Sequence, residues 1–243
     1  MNNEGCHFKR AHHQLIARVL KVINTDLFDM SECLFGGGTA IALAYGEYRE
    51  SIDIDFVVSR KEGYRALREV AKGHQVSSGI FKEGQEELTI ERMRMDQYGI
   101  RMVLRLDDSA LIKFEIVNEG RVEIQKPNAG SRICGVSILS RLDMATTKLL
   151  ANSDRWADRA VYSRDVIDLS MLGLSKKELG QAILKAETAY GSSIVQDLKK
   201  SLAYLTETPK RLDQCMEAMS IELPKSVLWQ KLKKLERDSA NCL

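Results

Sequence analysis

The sequence predicts a mixed α/β (α+β) protein, a mixed β-sheet core with helices followed by a helical C-terminal unit, and three observations carry this prediction. Short runs of alternating or wholly apolar residues, the mark of strands, crowd the first half. Helical periods broken by glycine and proline fill the second half. The 243 residues are 44% hydrophobic and 29% charged with three prolines, a globular composition whose length suits one compact core plus a smaller appended unit.

The elements follow in order. Phe8, Leu15, Ile16, Val19, Leu20 and Ile23 recur at helical spacing and predict a lead-in helix. His12-His13 lies on it with no third ligand nearby, so the pair reads as ordinary histidines of a surface-like helix. Cys33-Leu34-Phe35 is a short apolar run stopped by Gly36-Gly37-Gly38, and Thr39 stands near the start of a helix that Gly46 ends. Ser51 to Val58 alternates before turning wholly apolar, as a half-buried strand does near the middle of a sheet. Glu62 to Lys72 reads as a helix. Ile80–Phe81, Leu88–Arg92, Arg101–Leu106, Leu111–Val117 and Val122–Ile124 read as strands joined by polar turns such as Asp107-Asp108-Ser109.

From about Ser137 the pattern turns helical, with stops at Gly173, Gly191, Pro209 and Pro224. Ser175-Lys-Lys-Glu178 fits a capping box, and Thr208-Pro209 fits an N-cap followed by proline at the first helical position. No linker rich in proline, glycine or serine separates the halves, so the boundary falls softly between 127 and 137, giving a core over 1–130 and a helical domain over 131–243.

Charge and cysteine usage exclude some classes. A net charge of +2 announces no nucleic-acid partner, so any basic surface must be a local patch. Five scattered cysteines without a CxxC pair disfavour a disulfide framework or a zinc site and read as reduced thiols. No segment approaches the roughly 20 apolar residues that cross a bilayer. The expected location is the cytoplasm, with no membrane partner.

Asp53 and Asp55 are two apart on a predicted strand, so both side chains leave one face and their carboxylates can converge. A cation relieves their repulsion, and oxygen ligands on a rigid strand suit Mg²⁺, or Mn²⁺ in its place. The bare pattern is short and common, and elsewhere it marks a solvated turn. Its setting is more specific: Gly37-Gly38-Thr39 stands upstream at a strand-to-helix junction, where glycine backbone N–H groups, a helix N-terminus and the Thr39 hydroxyl can cradle a triphosphate.

The stretch FGGGTAIALAYGEYRESIDIDF resembles the signature of AbiEii-type nucleotidyltransferases, a glycine-rich GGTAL helix start followed by S-x-DIDF. KLLANSDRWADRAVYSRDVIDL resembles the same family's helical motif, a lysine followed by a helix ending in R-D-x-x-D-L. The two motifs stand in the family's order and cover both halves. The resemblance implies the nucleotidyltransferase fold, a cytoplasmic bacterial protein and the toxin of a toxin–antitoxin or abortive-infection pair, with a cognate antitoxin as partner. Related MenT toxins transfer nucleotides to the acceptor end of tRNA, so tRNA is the leading acceptor by resemblance alone.

Residue by residue, Ser51 and Asp53 match the active-site strand and Lys148 the helical lysine that contacts phosphates. The family's helical acid falls at Asp165 or Asp168, with Asp165, directly after arginine, favoured. A third acid on a later strand is common in this fold, and Glu115, set among apolar residues, is the candidate, with an outward place on an amphipathic strand as the alternative. The expected reaction carries a nucleoside monophosphate from a triphosphate to an acceptor hydroxyl as pyrophosphate leaves, a transferase chemistry of the 2.7.7 type. The alternatives are an inactive module that binds nucleotide or RNA and an enzyme that nucleotidylates protein. Lys231, Lys233 and Lys234 near Trp229 could clamp RNA phosphates or simply form the solvated face of a helix.

Overall fold

The structure is a computed structural model that describes residues 6–73, 77–82, 87–107, 110–126 and 130–240. Asp108 and Ser109 of the expected polar turn, and Cys242, lie outside the described residues. The chain divides into two compact units, Met1–Glu47 with Ser51–Ser140, and Tyr48–Glu50 with Arg141–Leu243. The division therefore falls at Ser140/Arg141 rather than at 130, because a small hairpin still belongs to the first unit. It also assigns three residues of an early connection to the second unit.

The first unit runs α1 (Ala11–Lys21), α2 (Thr25–Met30), β1 (Leu34–Gly36), α3 (Gly37–Ala44), β2 (Ile54–Val58), α4 (Lys61–Ala71), α5 (Ser77–Ile80), β3 (Leu88–Met95), β4 (Gly99–Leu106), β5 (Ile112–Asn118), β6 (Arg132–Ile133) and β7 (Val136–Ser137). The main sheet has the order β1-β2-β5-β4-β3, and its central pair, β2 with β5, is parallel while the rest are antiparallel. Alternation decides the faces. Ile54, Phe56, Ile100, Met102, Leu104, Phe114 and Ile116 are buried on one side. Phe28, Phe35, Phe56, Phe114 and Phe81 form a continuous run of ring contacts with centroids 4.7 to 5.7 Å apart, which seals that side.

Three expectations for this unit are corrected. Ile80 ends a short helix and Phe81 makes an isolated bridge to Ile23, since the backbone here bonds the irregular segment at Val22 and Asn24, at 2.8 and 3.0 Å, and joins no strand ladder. Val122–Ile124 is irregular chain whose two apolar side chains are buried; its Ile124 N–H bonds the Ser59 hydroxyl at 2.9 Å instead of a ladder. Cys6 and Cys134 are joined as a disulfide with Cα atoms 5.5 Å apart, so these two are not reduced thiols, whereas Cys33 and Cys215 are free and buried. Cys134 and Gly135 both have positive φ, 48° and 88°, and form the two-residue turn between β6 and β7.

The second unit is helical: α6 (Arg141–Arg155), a 3₁₀ turn (Arg159–Val161), α7 (Arg164–Met171), α8 (Lys176–Tyr190), α9 (Ser193–Glu207), α10 (Arg211–Ala218) and α11 (Lys225–Ala240). Helix α6 packs on α7, α8 and α9, and Leu149, Leu150, Ile167, Ile183 and Leu198 on these helices are buried. The Ser175–Glu178 capping box forms in both directions. Thr208 ends α9 instead of capping α10, which begins after Lys210, because Thr208's carbonyl accepts the Arg211 N–H at 3.1 Å. Lys233 and Lys234 pair with Glu236 and Asp238 one turn along α11, the pattern of a solvated helix face. Among the described residues no helix is long and apolar enough to cross a membrane.

Candidate active site

The glycine turn comes first. Gly37 opens α3 with φ +68°, a left-handed backbone that strains any residue with a Cβ. Space enforces the same choice: a Cβ there would sit 2.8 Å from Cβ and 2.9 Å from Cγ of Asp55. The glycine turn and the second aspartate of the pair are therefore in intimate contact. No side chain caps α3, so the N–H groups of its first turn, Gly37 and Gly38 among them, have no side-chain acceptor at Gly36.

Thr39 is fully buried and has a different partner from the expected phosphate. Its hydroxyl donates to the carbonyl of Asp53. With that single proton engaged, the Ser51 hydroxyl 2.8 Å away donates to Thr39 Oγ1. Thr39 thus ties α3 to the backbone of Asp53, and Ser51 braces Thr39.

His13 supplies the tie that the sequence reading missed. Its ring is fully buried, with Nε2 3.2 Å from the Ser51 N–H and Nδ1 2.9 Å from Glu47 Oε1. An N–H can only donate, so Nε2 is the acceptor and Nδ1 carries the proton that goes to Glu47. Burial pushes the Glu47 carboxyl up, but the N–H groups of Lys9, His13 and Arg10 together hold it below its usual range. Next to it on α1, His12 Nε2 lies 3.1 Å from the carbonyl of Ile52. A signal did exist, since His13 falls on the stripe with Ile16, Ala17 and Leu20, the buried face of α1.

Ile54 is buried while Asp53 and Asp55 on either side are part-exposed, so an extended chain turns both carboxylates to the open side. Asp55 pairs in register with Gly36 on β1 and Glu115 on β5. Glu115 is not the buried acid its apolar neighbours suggested; its side chain is 33% exposed on that same open face, 2.7 Å from Arg101 Nε on β4. Arg101 also reaches Asp96 at 3.1 Å. Among the described residues no three His, Cys, Asp or Glu side chains form a ready cage for a metal ion. Two part-exposed carboxylates beside a glycine turn do match a magnesium ion that retains waters and shares ligands with phosphates.

Lys148, Asp165 and Asp168 lie in the second unit and there form a buried ion cluster. Lys148 Nζ is 2.9 Å from Asp165 and 2.7 Å from Asp168. Arg155 adds a bond to Asp165 at 2.7 Å. Arg49 grips Asp168 with two bonds of 2.7 and 2.9 Å, and the Tyr48 hydroxyl donates to the same carboxylate. Burial opposes every charge here, yet the partners outweigh it: both carboxyls are held below their usual range, and Lys148 and Arg49 above theirs. The lysine expected to stand open for phosphates is thus engaged by two carboxylates. Asp165 and Asp168 share the work, Asp165 holding α6 to α7 and Asp168 holding Tyr48 and Arg49.

A parallel strand pair flanked by antiparallel ones, with a glycine turn pressed against a carboxylate-bearing strand, defines the class as the nucleotidyltransferase fold. The structure of JHP933 from Helicobacter pylori is similar to the chain with a TM-score of 0.51 and 16% identity, covering 100% of this chain and 93% of that one. Another H. pylori structure, described as a candidate nucleotidyltransferase, has a TM-score of 0.44 and 17% identity over 93% of this chain and 96% of that one. The Megavirus polyadenylate synthase reaches 0.29 at 12% identity over 85% of this chain and 38% of that one. Comparison with curated proteins gave no match. Residues 18–235 match the family described as the nucleotidyl transferase AbiEii toxin of type IV toxin–antitoxin systems, and the chain belongs to that family.

Proposed function

We propose that this nucleotidyltransferase toxin moves a nucleoside monophosphate from a nucleoside triphosphate to a hydroxyl of RNA, with tRNA as the leading acceptor. The observation that carries this reading is the contact of the Gly37 turn with Asp55, which sets phosphate donors beside carboxylates. Gly37 and Gly38 would offer backbone N–H groups to the triphosphate, aided by the α3 dipole. Asp53 and Asp55 would hold Mg²⁺, or Mn²⁺, which when bound neutralises charge developing on the phosphates. Thr39 bonds the Asp53 carbonyl, Ser51 bonds Thr39 and His13 accepts from the Ser51 N–H, a relay that holds the chain at Asp53.

The acceptor oxygen forms a bond to the α-phosphorus, its proton leaves to a base, and the bond to the β-phosphate oxygen breaks to release pyrophosphate. Glu115, beside Asp55 in register, is the protein carboxylate nearest in the ladder to serve that proton, and Arg101 fixes its orientation. Lys148 and Asp165 support the reaction as part of the cluster that grips Tyr48 and Arg49, the residues leading in sequence to Ser51. Family membership adds a cognate antitoxin and a cytoplasmic setting to the proposal.

Incubation of the full chain with total RNA and each triphosphate, labelled at the α or the γ position, tests this reading. Transfer of the α label alone, abolished by chelation of divalent metal and by Asp53→Ala, is the expected result. Labelling of protein in place of RNA would overturn the RNA acceptor, and activity surviving in both Asp53→Ala and Asp55→Ala would overturn the site.

A further inference from the structure

On the open side of the main sheet, the row that begins at Asp55 continues in register through Glu115 and Arg101 to Arg94. The next row holds Lys113, Val103 and Arg92, and Arg105 follows further along β4. Lys113 stands two residues before Glu115, as Asp53 stands two before Asp55, on parallel neighbouring strands. The face that carries the acidic pair therefore grades into a basic track within about 15 Å, three strand spacings.

The cations of this track are available. Arg92 and Lys113 are exposed, and among the described residues neither has an ion-pair partner. Arg94 is 80% exposed, and among the described residues the one carboxylate paired with it, Asp96, lies 3.9 Å away. Arg105 is paired with Glu91 and Arg101 with Glu115 and Asp96, so the surplus resides at Arg92, Arg94 and Lys113. The chain's net charge of +2 makes this a local surplus. At the turn between β3 and β4, four residues after Arg94, Tyr98 is 65% exposed.

We propose that this face docks the single-stranded end of the RNA acceptor, its phosphodiester backbone crossing Arg94, Arg92 and Lys113 toward Asp53 and Asp55, with a base against Tyr98. The inference rests on the reading of Asp53 and Asp55 as the transfer centre and names where its acceptor lies. Charge complementarity selects a polyanion, since exposed cations without partners gain by releasing counterions from phosphates. The cations stand on strands β3 and β5 rather than on a helix that could enter a groove, which favours a single strand over a duplex, and an exposed ring four residues along the chain from Arg94 offers a stacking surface that tolerates any base. The track so described positions RNA without reading its sequence.

The test is fluorescence anisotropy of the full chain with a labelled single-stranded RNA of about 16 nucleotides, across a range of potassium chloride. The triple variant Arg92→Gln/Arg94→Gln/Lys113→Gln should bind at least about tenfold more weakly and flatten the log–log salt slope by about 2, near 0.7 per lost contact. Lys177→Gln/Lys199→Gln, exposed on α8 and α9, should leave both unchanged. Tyr98→Ala should weaken binding without changing the slope. Slopes equal in the triple variant and the parent chain overturn the proposal, as does stronger binding of the matching DNA strand or equal competition by polyglutamate. Binding of labelled triphosphate with Mg²⁺ is measured in parallel and should survive the triple variant. If the parent chain binds RNA on the track but neither binds nor transfers nucleotide, the transfer reading fails while the docking surface stands.

Discussion

Asp53 with Asp55, and Asp165 with Asp168, are both pairs of carboxylates at short spacing in one chain, yet the two units treat them in opposite ways. In the first unit the pair is part-exposed on the open side of a sheet, and among the described residues no ion-pair partner meets Asp53. In the second unit the pair is buried, and Lys148, Arg155 and Arg49 surround it. A carboxylate that is to receive a cation from solution must keep lone pairs and access. One that holds helices together must surrender both, because an uncompensated buried charge costs more than its surroundings can return. The spacing alone does not tell the two uses apart.

The largest expected effect is on the open pair. Asp53→Ala should lower nucleotide transfer by about 10³-fold, the scale of removing a principal electrostatic group, with the urea midpoint nearly unchanged. A variant that loses midpoint and activity together would erase the distinction between the units. On the closed pair, Asp168→Asn should cost about 3 to 5 kcal/mol in urea unfolding, since Arg49 and Lys148 are left buried without their shared partner.

Acid probes the same contrast. Asp165 and Asp168 titrate lower in the folded chain than in the unfolded one, despite burial that works the other way. Their contribution to stability is therefore complete above the unfolded value of about 3.9 and drains as pH falls below it. Urea midpoints measured from about pH 5 to pH 3 should fall in the parent chain and fall less in Asp168→Asn. Equal slopes would mean that the cluster does not govern acid sensitivity.

A smaller effect belongs to His13. Its ring accepts the Ser51 N–H, two residues before Asp53, so His13→Ala should reduce kcat about 10- to 100-fold, the scale of losing a group behind the proposed ligand, with KM for the triphosphate little changed. His13→Asn, which keeps a donor and an acceptor, should lose less. The smallest is Ser175→Ala, about 1 kcal/mol in unfolding with no change in transfer, because the bonds it removes close the first turn of α8.

Much of this was legible in the residues themselves. Periodicity reads β3, β4, β5 and the long helices, because each buries one face and so repeats at its own period. The glycines and the DxD pair read correctly as neighbours, since a strand, a tight turn and a helix leave few ways to fold back. The expectations that failed share a cause. Val122–Ile124 and Ile80–Phe81 are apolar and buried like strands, but their backbone bonds go to Ser59 and to the chain at Val22 and Asn24 instead of a strand ladder, and burial by itself does not supply one. Cys6 and Cys134 are far apart in sequence and meet only in the fold.

By itself the sequence determined the class of fold, the family and the carboxylate pair Asp53–Asp55, because local spacing, turn chemistry and a recurring motif are properties of adjacent residues. Only the tertiary structure decided what each polar side chain does. It turned Thr39 inward to Asp53, joined His13 to Glu47 and Ser51, enclosed Lys148 between two aspartates, and lined Arg94, Arg101 and Glu115 up with Asp55. The physical reason is that a hydrogen bond or ion pair depends on ångström-scale distances between residues remote in the chain, and no local pattern encodes those distances.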